Sequence, residues 1–447
     1  MKKYNRMIKM LLTSAICASM LVGCNSQSTD SNVTTAAKET MENDVVNVEE
    51  NPEKEDSANV TELTFMIWDS NQQAGMEAMA ADFTEKNPNI KVNVEVTPWD
   101  EYWTKLQAGA TGGQMADIFW MHPEQVYTFA EGNALLNLSE RIPSSTIDLT
   151  KYPEYITGDF NVDGVQYAIP KDYSTMGLWY NKDLFDAAGV AYPNDTWTWD
   201  DWKDAAAKLT DQNKGVYGML AQCSSQDYYY NLIWENGSDV ITEDETDSLY
   251  DDPKTIEAIQ YAVSFINAGY SPSTADQAST TALQYFESGK AAMLTGGSWL
   301  AAELTGIDGL NCDVAPLPQS VQRGSICGGM GYSASAFTEH PDEAWRFLEY
   351  LGSYDANVIQ SESGAAISAY ADSQDAWVKG FPSINAQIFV DASEYGYSTQ
   401  YCQSRRDWVT MEEDTMAQIF AGNLDVEDGC KQLAAQIQEV LNEYKAE

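Results

Sequence analysis

The sequence predicts an α/β protein in which helices pack on a mostly parallel sheet. Three segments indicate strands: the apolar runs at 63–68 and 117–120, and the alternation of Ile and Val with polar residues at 90–96. Apolar residues within 76–83 recur at helical spacing, and 99–108 is also typical of a helix. The order strand–helix–strand–helix–strand is that of parallel strands joined by helical crossovers.

The alternation of helices and strands continues beyond this first unit. Thr198 and Asp201 have the spacing of a helix cap, and Pro253 suits the first turn of another helix. The later predicted elements are helices at 198–209, 252–265, 281–288, 342–351, 414–420 and 426–444, and a strand at 291–294. A length of 447 residues gives room for roughly two to three domains.

The charge of the chain excludes one class of partner. Asp and Glu number 68 against 25 Lys and Arg, a formal net charge of −43. Nucleic-acid binding needs a basic face that meets the phosphates, so we expect no nucleic-acid partner. The same charge opposes docking on anionic lipid, so any link to a membrane should be an anchor.

The amino terminus has the pattern of a secretory signal. Cationic residues within 2–9 precede a mostly small or apolar stretch at 10–22, too short to span a bilayer. The tetrapeptide Leu-Val-Gly-Cys that ends at Cys24 resembles the bacterial lipobox, whose cysteine is cleaved free and acylated. We therefore predict a lipoprotein signal peptide at 1–23 and lipidation of Cys24. The alternative is an ordinary signal peptide with an incidental cysteine.

The segment at 24–61 is expected to be a disordered acidic tether. It is rich in Ser, Thr, Asn, Asp and Glu and has almost no large apolar side chain, so it cannot bury enough surface to fold. No later run reaches 18 apolar residues, so nothing after the signal is expected to cross a membrane. The folded body would begin close to Leu63.

Cysteine and histidine contribute no metal or cofactor site in this interpretation. The cysteines outside the signal and the lipobox show no CxxC spacing; they are Cys223, Cys312, Cys327, Cys402 and Cys430. Cys312 and Cys327 could be neighbours, and we leave open a disulfide between them, although buried free thiols are favoured. His122 and His340 are far apart in sequence, which argues against a histidine-rich metal site.

Large aromatic residues recur where predicted strands run out into loops. Trp68 with Asp69, Trp120, Trp299 and Tyr332 all have this position, and the last two follow glycine-rich segments. Ligands of open α/β sheets bind at the carboxyl ends of strands, and glycine permits close approach to the backbone. Aromatic faces beside planar polar groups suit a neutral polyol. We expect the remaining helical tryptophans to pack in cores: Trp103, Trp202, Trp345 and Trp377.

Four motifs in order carry a resemblance to a known family. They are the segments at 116–122, 178–185, 286–299 and 328–332, the last followed by the helix around Trp345. In this order, behind a lipobox, they resemble the extracellular solute-binding proteins of carbohydrate ABC transporters, the group of the maltodextrin-binding protein. The resemblance covers nearly the whole chain from Leu63 to Tyr444.

The resemblance implies a two-lobed fold of the periplasmic-binding-protein type II, with a hinged cleft and a mostly parallel sheet in each lobe. The first lobe is placed at 62–170 plus 322–372 and the second at 171–321 plus 373–447. A monomer of this kind would capture a mono- or oligosaccharide by hinge closure and deliver it to the permease subunits of an importer. Its lipid anchor would hold it at the outer face of the bacterial cytoplasmic membrane.

The resemblance also extends the list of candidate ligand contacts. Trp120 and Trp299 match stacking positions of the family, and Trp408 falls close to a late tryptophan. Tyr228 and Trp234 lie where the second lobe offers an aromatic wall, with helix packing as an equal alternative. The predicted contacts are Trp68, Asp69, Trp120, Glu124, Asp172, Tyr228, Trp234, Trp299, Tyr332 and Trp408. Pro123-Glu124 replaces an Asp-Arg pair of the maltodextrin receptor, and Asp172 stands nearest to a missing glutamate, which argues against maltodextrin itself.

Two other classes of function remain open. A surface glycosidase needs two suitably spaced carboxylates, which Asp69, Asp117, Glu124 and Asp172 could supply. So many acidic residues make such pairs unavoidable by chance, and no GxSxG, HExxH or P-loop pattern occurs, so we predict a protein without catalytic activity. A receptor for a polyamine, peptide or metal is the other alternative, and it would require extra carboxylates in the cleft.

Overall fold

The computed structural model describes residues 60–398 and 402–445. The predicted signal peptide, the lipidation site at Cys24 and nearly all of the predicted tether lie outside these ranges. Within them, no helix combines the length and apolar character needed to cross a membrane.

The strands of the described residues are mostly short. They are β1 (Thr61–Ile67), β2 (Ile90–Val96), β3 (Ile118–Met121), β4 (Asn161–Val162), β5 (Val165–Gln166), β6 (Ile169–Pro170), β7 (Asp172–Tyr173), β8 (Met176–Asn181), β9 (Met293–Gly297), β10 (Cys312–Ala315), β11 (Gly331–Ala334) and β12 (Ile367–Ser368). The strands β1 to β3 and β9 confirm the strands predicted from the sequence.

Helices occupy most of the remaining chain. They are α1 (Gln73–Lys86), α2 (Trp99–Gly112), α3 (Pro123–Glu131), α4 (Glu154–Asp159), α5 (Lys182–Ala188), α6 (Trp199–Leu209), α7 (Tyr230–Glu235), α8 (Pro253–Asn267), α9 (Thr274–Gln277), α10 (Ala282–Glu287), α11 (Leu300–Thr305), α12 (Pro341–Leu351), α13 (Tyr354–Glu362), α14 (Asp375–Gly380), α15 (Gln387–Asp391), α16 (Arg405–Phe420) and α17 (Val426–Lys445). Short 3₁₀ turns cover Ser70–Gln72, Ile142–Ser144, Leu149–Lys151 and Ala392–Glu394, and a π-helical turn covers Ser225–Tyr229.

Helix caps agree with the sequence signals. Thr198 accepts a hydrogen bond from the backbone N–H of Asp201, and the Asp201 carboxylate accepts one from the Thr198 backbone N–H at 2.9 Å. This reciprocal pair satisfies two donors that the first turn of α6 leaves free. Asp252 caps α8 by accepting a hydrogen bond from the Lys254 backbone N–H at 2.8 Å, with Pro253 at the first helical position. Both helices therefore begin where the sequence predicts.

The first sheet has five strands in the order β2-β1-β3-β11-β6. The strands β2 and β3 run parallel to β1, as the crossover pattern predicts, whereas β11 is antiparallel to both β3 and β6. Helix α1 packs on this sheet through Met76, Met79 and Phe83, and the ring of Phe83 meets Phe347 of α12 at 5.0 Å. One core thus joins chain segments from both halves of the sequence.

The second sheet has three strands in the order β10-β8-β9, and both pairings are antiparallel. The prediction of a mostly parallel sheet in each lobe is therefore wrong for this sheet. All six residues of β8 are buried, and all but Asn181 are apolar or glycine, a pattern that usually indicates parallel strands. Such a sequence indicates that both faces of the strand are buried. It does not determine whether the neighbouring strands run parallel or antiparallel to it.

Two chain segments pass side by side between the sheets. The first leads from β6 to β8, and the second leads from β10 to β11. The backbone N–H of Ser174 donates to the Gly328 carbonyl at 2.7 Å, and the N–H of Lys171 donates to the Met330 carbonyl at 2.8 Å. A Cβ atom at Gly329 would lie 2.5 Å from the Asp172 carbonyl oxygen, so this contact requires glycine.

The sheets fall on either side of the predicted lobe division. Every strand of the first sheet lies within 61–170 or 331–334, and every strand of the second lies within 176–315. The first core covers the first sheet and also one face of the second sheet, through Trp179, Leu294 and Val314. The second core covers the other face of the second sheet, through Leu178, Tyr180 and Met293. The exact lobe boundaries stay a prediction.

Candidate functional site

A cavity of about 450 Å³ lies between the two sheets. Its walls come from the end of β1, the crossing segment after β6, the π-helical turn and the end of β9. The lining residues used below are Trp68, Asp69, Gln72, Trp99, Trp120, His122, Lys171, Asp172, Gln226, Asp227, Trp299 and Glu303. Residues that are far apart in sequence therefore meet at one site, as expected for a ligand cleft between domains.

Aromatic rings form the wall contributed by the first sheet. Trp68 directly follows β1, and its ring makes edge-to-face contacts with Trp99, Tyr102 and Trp120 at centroid distances of 5.1, 5.0 and 4.9 Å. The Tyr102 hydroxyl donates to the Trp120 carbonyl at 2.6 Å. These contacts fix the orientation of Trp68, which is half-buried, while Trp120 is fully buried behind it.

Lys171 covers the face of Trp120. Its ammonium lies 4.3 Å from the centre of the indole, donates to Gln72 Oε1 at 2.8 Å and pairs with the Asp172 carboxylate. Both charges are buried, and Asp172 also accepts a hydrogen bond from the Met330 backbone N–H at 3.0 Å. Lys171 and Asp172 therefore neutralise each other at the crossing segment. Trp120 therefore forms part of the cavity wall, and the Lys171 ammonium covers the face of its ring.

Trp299 forms the opposite wall at the end of β9. Its indole lies directly over Gly297, where an added Cβ atom would come within 2.0 Å of ring carbon Cζ3. No other residue fits at 297 without displacing that ring. The glycine before Trp299 is thus explained by close approach of a side chain, and the tryptophan position agrees with the sequence prediction.

Carboxylates line the cavity on both sides. Asp69 accepts hydrogen bonds from the Asn71 backbone N–H and the Gln72 side chain at 2.9 and 3.0 Å, and Asp227 accepts one from the Ser224 hydroxyl at 2.9 Å. Burial raises the pKa of Asp227. Burial, together with the nearby Glu287 and Asp69 carboxylates, raises the pKa of Glu303. The cavity is therefore acidic, with Lys171 already neutralised by Asp172.

A smaller pocket of about 140 Å³ adjoins the cavity. The two share Trp99, His122 and Gln226 among their lining residues. Nδ1 of His122 accepts a hydrogen bond from the Glu124 backbone N–H at 3.2 Å, and burial lowers the pKa of this imidazole. At neutral pH His122 is therefore an uncharged cap of α3 between the two spaces.

The predicted contact residues divide into two groups. Trp68, Asp69, Trp120, Asp172 and Trp299 line the main cavity, and Glu124 lines the adjoining pocket. The structure does not bring the other four to either space; they are Tyr228, Trp234, Tyr332 and Trp408. The predicted cluster is therefore assembled only in part.

Each of these four residues has packing partners elsewhere. The Tyr228 hydroxyl donates to the Ala262 carbonyl at 3.2 Å in the second core. Trp234 stacks on Tyr397 at 4.3 Å with 10° between the rings, which is the helix-packing alternative.

Tyr332 lies within β11 and not at a strand end. Its side chain is buried, and its hydroxyl donates to Gln360 Oε1 at 2.8 Å. Trp408 is fully buried, with the Arg405 guanidinium 4.9 Å from its ring.

Sequence reasoning missed several lining residues. Lys171 sits next to the predicted Asp172, but its partner Gln72 is far away in sequence. Trp99 begins α2 and was interpreted only as part of a helix. Asp227 directly precedes the predicted Tyr228, and Glu303 follows the predicted Trp299 by four residues, yet single carboxylates carry no signal in so acidic a chain.

Two of the cysteines agree with the sequence interpretation. Cys312 and Cys327 are both buried free thiols, so the disulfide left open above does not form here. Across 60–398 and 402–445, no group of His, Cys, Asp and Glu is arranged to hold a metal ion.

Comparison with known proteins identifies the family. The sequence pattern described as bacterial extracellular solute-binding protein matches residues 68–358. The chain belongs to this family. A putative binding protein of Brucella abortus is 26% identical over 335 residues, covering 72% of this chain and 80% of that protein. The maltodextrin-binding protein of Bacillus subtilis is 28% identical over 282 residues, covering 61% and 65%.

Solved structures confirm the two-lobed fold. An ABC substrate-binding protein from Listeria monocytogenes in complex with cycloalternan has a TM-score of 0.80 and 25% identity, covering 86% of this chain and 99% of that one. A solute-binding protein of Thermotoga lettingae bound with α-D-tagatose has a TM-score of 0.74 at 21% identity, covering 85% and 100%. The family and these neighbours are binding proteins of transport systems.

Proposed function

We propose that this protein is the extracellular substrate-binding component of a carbohydrate ABC importer, anchored to the membrane by a lipid on Cys24. It captures a mono- or oligosaccharide by closure of its two lobes and delivers it to permease subunits. The observation that carries the proposal is the cavity between the sheets. One wall holds Trp299, which follows β9 of the second sheet. The opposite wall holds Trp68, which follows β1 of the first sheet and packs on Trp99 and Trp120.

The chemistry of the lining suits a sugar. The apolar C–H face of a pyranose packs on an indole, and its hydroxyl groups donate to carboxylates and exchange hydrogen bonds with amides. Trp299 and Trp68 supply the faces, and Asp69, Gln226 and Glu303 supply the planar polar groups. Because the walls belong to different sheets, a sugar that touches both binds the closed arrangement better and shifts the population toward it.

The names of related proteins support the same class of ligand. The curated relatives include a maltodextrin-binding protein, an arabinooligosaccharide-binding protein and a galactooligosaccharide-binding protein. The Listeria structure holds cycloalternan. These ligands differ in sugar and linkage, so the relatives favour carbohydrate without naming the one bound here.

A cationic solute is the second candidate, and the cavity carboxylates favour it. Among the described residues, no Lys or Arg makes a hydrogen bond or ion pair with Asp69, Asp227 or Glu303, and an amine would be attracted to these carboxylates. The aromatic walls favour a sugar over a linear polyamine, because the C–H face of a sugar ring covers more of an indole face than a narrow polyamine chain does.

A thermal-shift screen tests the proposal. The probes are glucose, galactose and arabinose with their di- and trisaccharides, and spermidine as the cationic competitor. We expect at least one saccharide to raise the melting temperature by mass action, and we expect Trp299→Ala to abolish the shift. Tyr192→Ala is the control, since Tyr192 is exposed and lines neither space.

Three results would contradict the proposal. A shift with spermidine and none with any saccharide would establish the second candidate. Conversion of a bound saccharide to new products would establish an enzyme. Labelled fatty acid should be incorporated into the wild type and not into Cys24→Ala, and a wild-type protein without label would refute the lipid anchor.

A further inference from the structure

A carboxyl group outside the cavity lies where segments of the two predicted lobes meet. Asp159 ends α4, which belongs to the first predicted lobe. Ser398, in the second predicted lobe, donates a side-chain hydrogen bond to this carboxylate. The Oδ2 atom of Asp159 is shielded from solvent and has no hydrogen-bond partner among the described residues. Asp159 lines neither the main cavity nor the adjoining pocket, so its burial is not explained by contact with a ligand.

The second crossing segment lies close to Asp159. Cys327 of this segment donates its backbone N–H to the Tyr397 carbonyl at 2.7 Å, and its thiol contacts the Tyr155 hydroxyl of α4 at 2.7 Å. A Cβ atom added at Gly396 would lie 2.8 Å from the Cys327 Cβ. Helix α4, the crossing segment and the chain that leads to Ser398 therefore pack tightly against one another at the junction of the lobes.

The surroundings of Asp159 supply no positive charge among the described residues. The titratable groups near this carboxyl, or near the tyrosines beside it, are Tyr127, Tyr155, Tyr173, Cys327, Cys402, Asp163 and Glu245. Burial raises the pKa of the tyrosines and the thiols among them, so these groups are uncharged at neutral pH. Burial likewise raises the pKa of Asp159 to about 8, and only the hydrogen bond from Ser398 opposes this shift.

We propose that closure of the two lobes is coupled to the uptake of one proton by Asp159. In the structure, α4, the crossing segment and Ser398 enclose the carboxyl, and no cation compensates its charge. Opening of the lobes separates Ser398 from α4 and admits water to the carboxyl, which then releases its proton to the solvent. This coupling goes beyond the proposed function. It rests on the movement of the lobes proposed above, and it is independent of which sugar is bound.

The coupling has a defined direction. In water the Asp159 carboxyl has its ordinary pKa of 3.8, whereas burial raises the pKa of the enclosed carboxyl to about 8. Between these two values each unit of pH shifts the equilibrium toward the open form by up to about tenfold. Acid therefore favours the closed form, and sugar affinity falls as the pH rises toward the pKa of the enclosed group. Above that pKa the effect is constant.

X-ray scattering by the unliganded full chain tests the coupling without a sugar. The radius of gyration of the wild type should increase from about pH 5 to about pH 8 as the lobes open. Asp159→Asn keeps the shape of the side chain and cannot ionise, so its radius should stay at the lower value. Asp163→Asn is the matched control, because Asp163 is exposed and asparagine tolerates its left-handed backbone. Its radius should follow that of the wild type.

Titration across the same pH range gives a second readout. The probe is the saccharide that gives the largest shift in the thermal-shift screen. The ratio of the wild-type dissociation constant to that of Asp159→Asn should rise by up to about tenfold for each pH unit. Comparison with this variant cancels the contribution of the carboxylates in the cavity. Ser398→Ala removes a donor that favours the ionised form, so it should extend the pH dependence to higher pH.

The outcomes distinguish this inference from the proposed function. A radius that rises equally in wild type and Asp159→Asn, or in neither, would overturn the proton coupling whether or not a sugar binds. The same holds for a pH dependence of affinity that survives in Asp159→Asn, or that keeps its upper limit in Ser398→Ala. A rise confined to chains that carry Asp159 would support the coupling. Failure of every saccharide to bind would then overturn the carbohydrate function alone.

Discussion

Gly297 has a role that only the packed structure reveals. The sequence places glycines before Trp299, and a flexible loop is their ordinary interpretation. The structure shows instead that the Trp299 ring occupies the volume where a side chain at 297 would stand. A residue that touches no ligand can therefore determine where a ligand-binding ring lies.

Gly297→Ala should weaken saccharide binding by about tenfold or more, because the new methyl group displaces the Trp299 ring. The dissociation constant measured by titration checks this. Gly158→Ala is the matched control, since a Cβ atom there has no neighbour within 4 Å and the backbone is not left-handed. Unchanged affinity in Gly297→Ala would mean that Trp299 does not stack on the sugar.

Glu235 is a buried acid outside the site. It is fully buried in the second core, accepts a hydrogen bond from Trp199 Nε1 at 2.7 Å, and has a second oxygen with no hydrogen-bond partner among the described residues. Burial raises the pKa of this carboxyl well above its ordinary value of 4.5. The folded protein therefore keeps a proton on Glu235 that the unfolded chain loses as the pH rises.

Glu235→Gln should change how stability depends on pH. Above the ordinary pKa the unfolded chain is stabilised by ionising, whereas the folded chain keeps Glu235 protonated. The wild type therefore loses about 1.4 kcal/mol of stability for each pH unit until the pH reaches the folded pKa. The glutamine variant has no such loss. Its stability relative to wild type should rise as the pH increases above the ordinary pKa of 4.5.

Urea unfolding across that pH range measures the effect. The exposed Glu439→Gln provides the control, and its curve should stay parallel to that of the wild type. A constant difference between Glu235→Gln and wild type at every pH would show that Glu235 is ionised in the folded state.

At the scale of elements, α16 shows why some boundaries escape sequence patterns. The sequence predicts a helix at 414–420, and the observed helix begins at Arg405. Its first turn, Arg405 to Asp407, carries no apolar periodicity, because Arg405 is buried in ion pairs with Glu124 and Glu412, whereas Arg406 and Asp407 are exposed. Arg406 donates to Glu131 of α3 at 2.6 Å, and Arg405 donates to Glu124 of the same helix.

These ion pairs connect helices from different cores. Helix α3 packs on the first core through Val126 and Phe129, and α16 packs on the second through Met416 and Phe420. Their attraction therefore favours the arrangement in which the two lobes meet, which is also the arrangement that encloses a ligand.

Glu131→Gln should lower saccharide affinity by up to about fivefold, since a half-exposed ion pair contributes about 1 kcal/mol at most. Added salt should reduce the wild-type affinity and have less effect on the variant. Glu427→Gln removes an exposed ion pair with Lys431 inside α17 and should leave affinity unchanged. Equal salt dependence of wild type and Glu131→Gln would exclude this contribution.

The strands illustrate what periodicity can and cannot predict. β1, β2 and β3 follow the predicted pattern because each joins its neighbour through a nearby helix. Helices α6, α10, α12 and α17 likewise match the predicted segments closely. The direction of β8 against β9 and β10 could not be predicted, since those partners arrive from more than a hundred residues away. Tyr332 was misplaced for the same reason, because β11 inserts between β3 and β6.

At the scale of the whole molecule, the site depends on contacts between distant segments. Trp68 and Trp299 could be predicted because each follows a strand. The Lys171–Gln72 contact could not, since its partners are separated by 99 residues and neither belongs to a motif. The acidic character of the cavity was hidden for another reason: carboxylates are abundant throughout the chain, with a net charge of −43.

Titration calorimetry of the full chain with the saccharide panel tests the central claim most directly. We predict saturable binding of one saccharide per protein, a negative heat-capacity change from burial of its apolar face, and recovery of the saccharide unaltered. The same titration of Trp299→Ala should show no binding in that concentration range. Absence of heat with every saccharide, or undiminished binding by Trp299→Ala, would contradict the assignment of this cavity as a carbohydrate site.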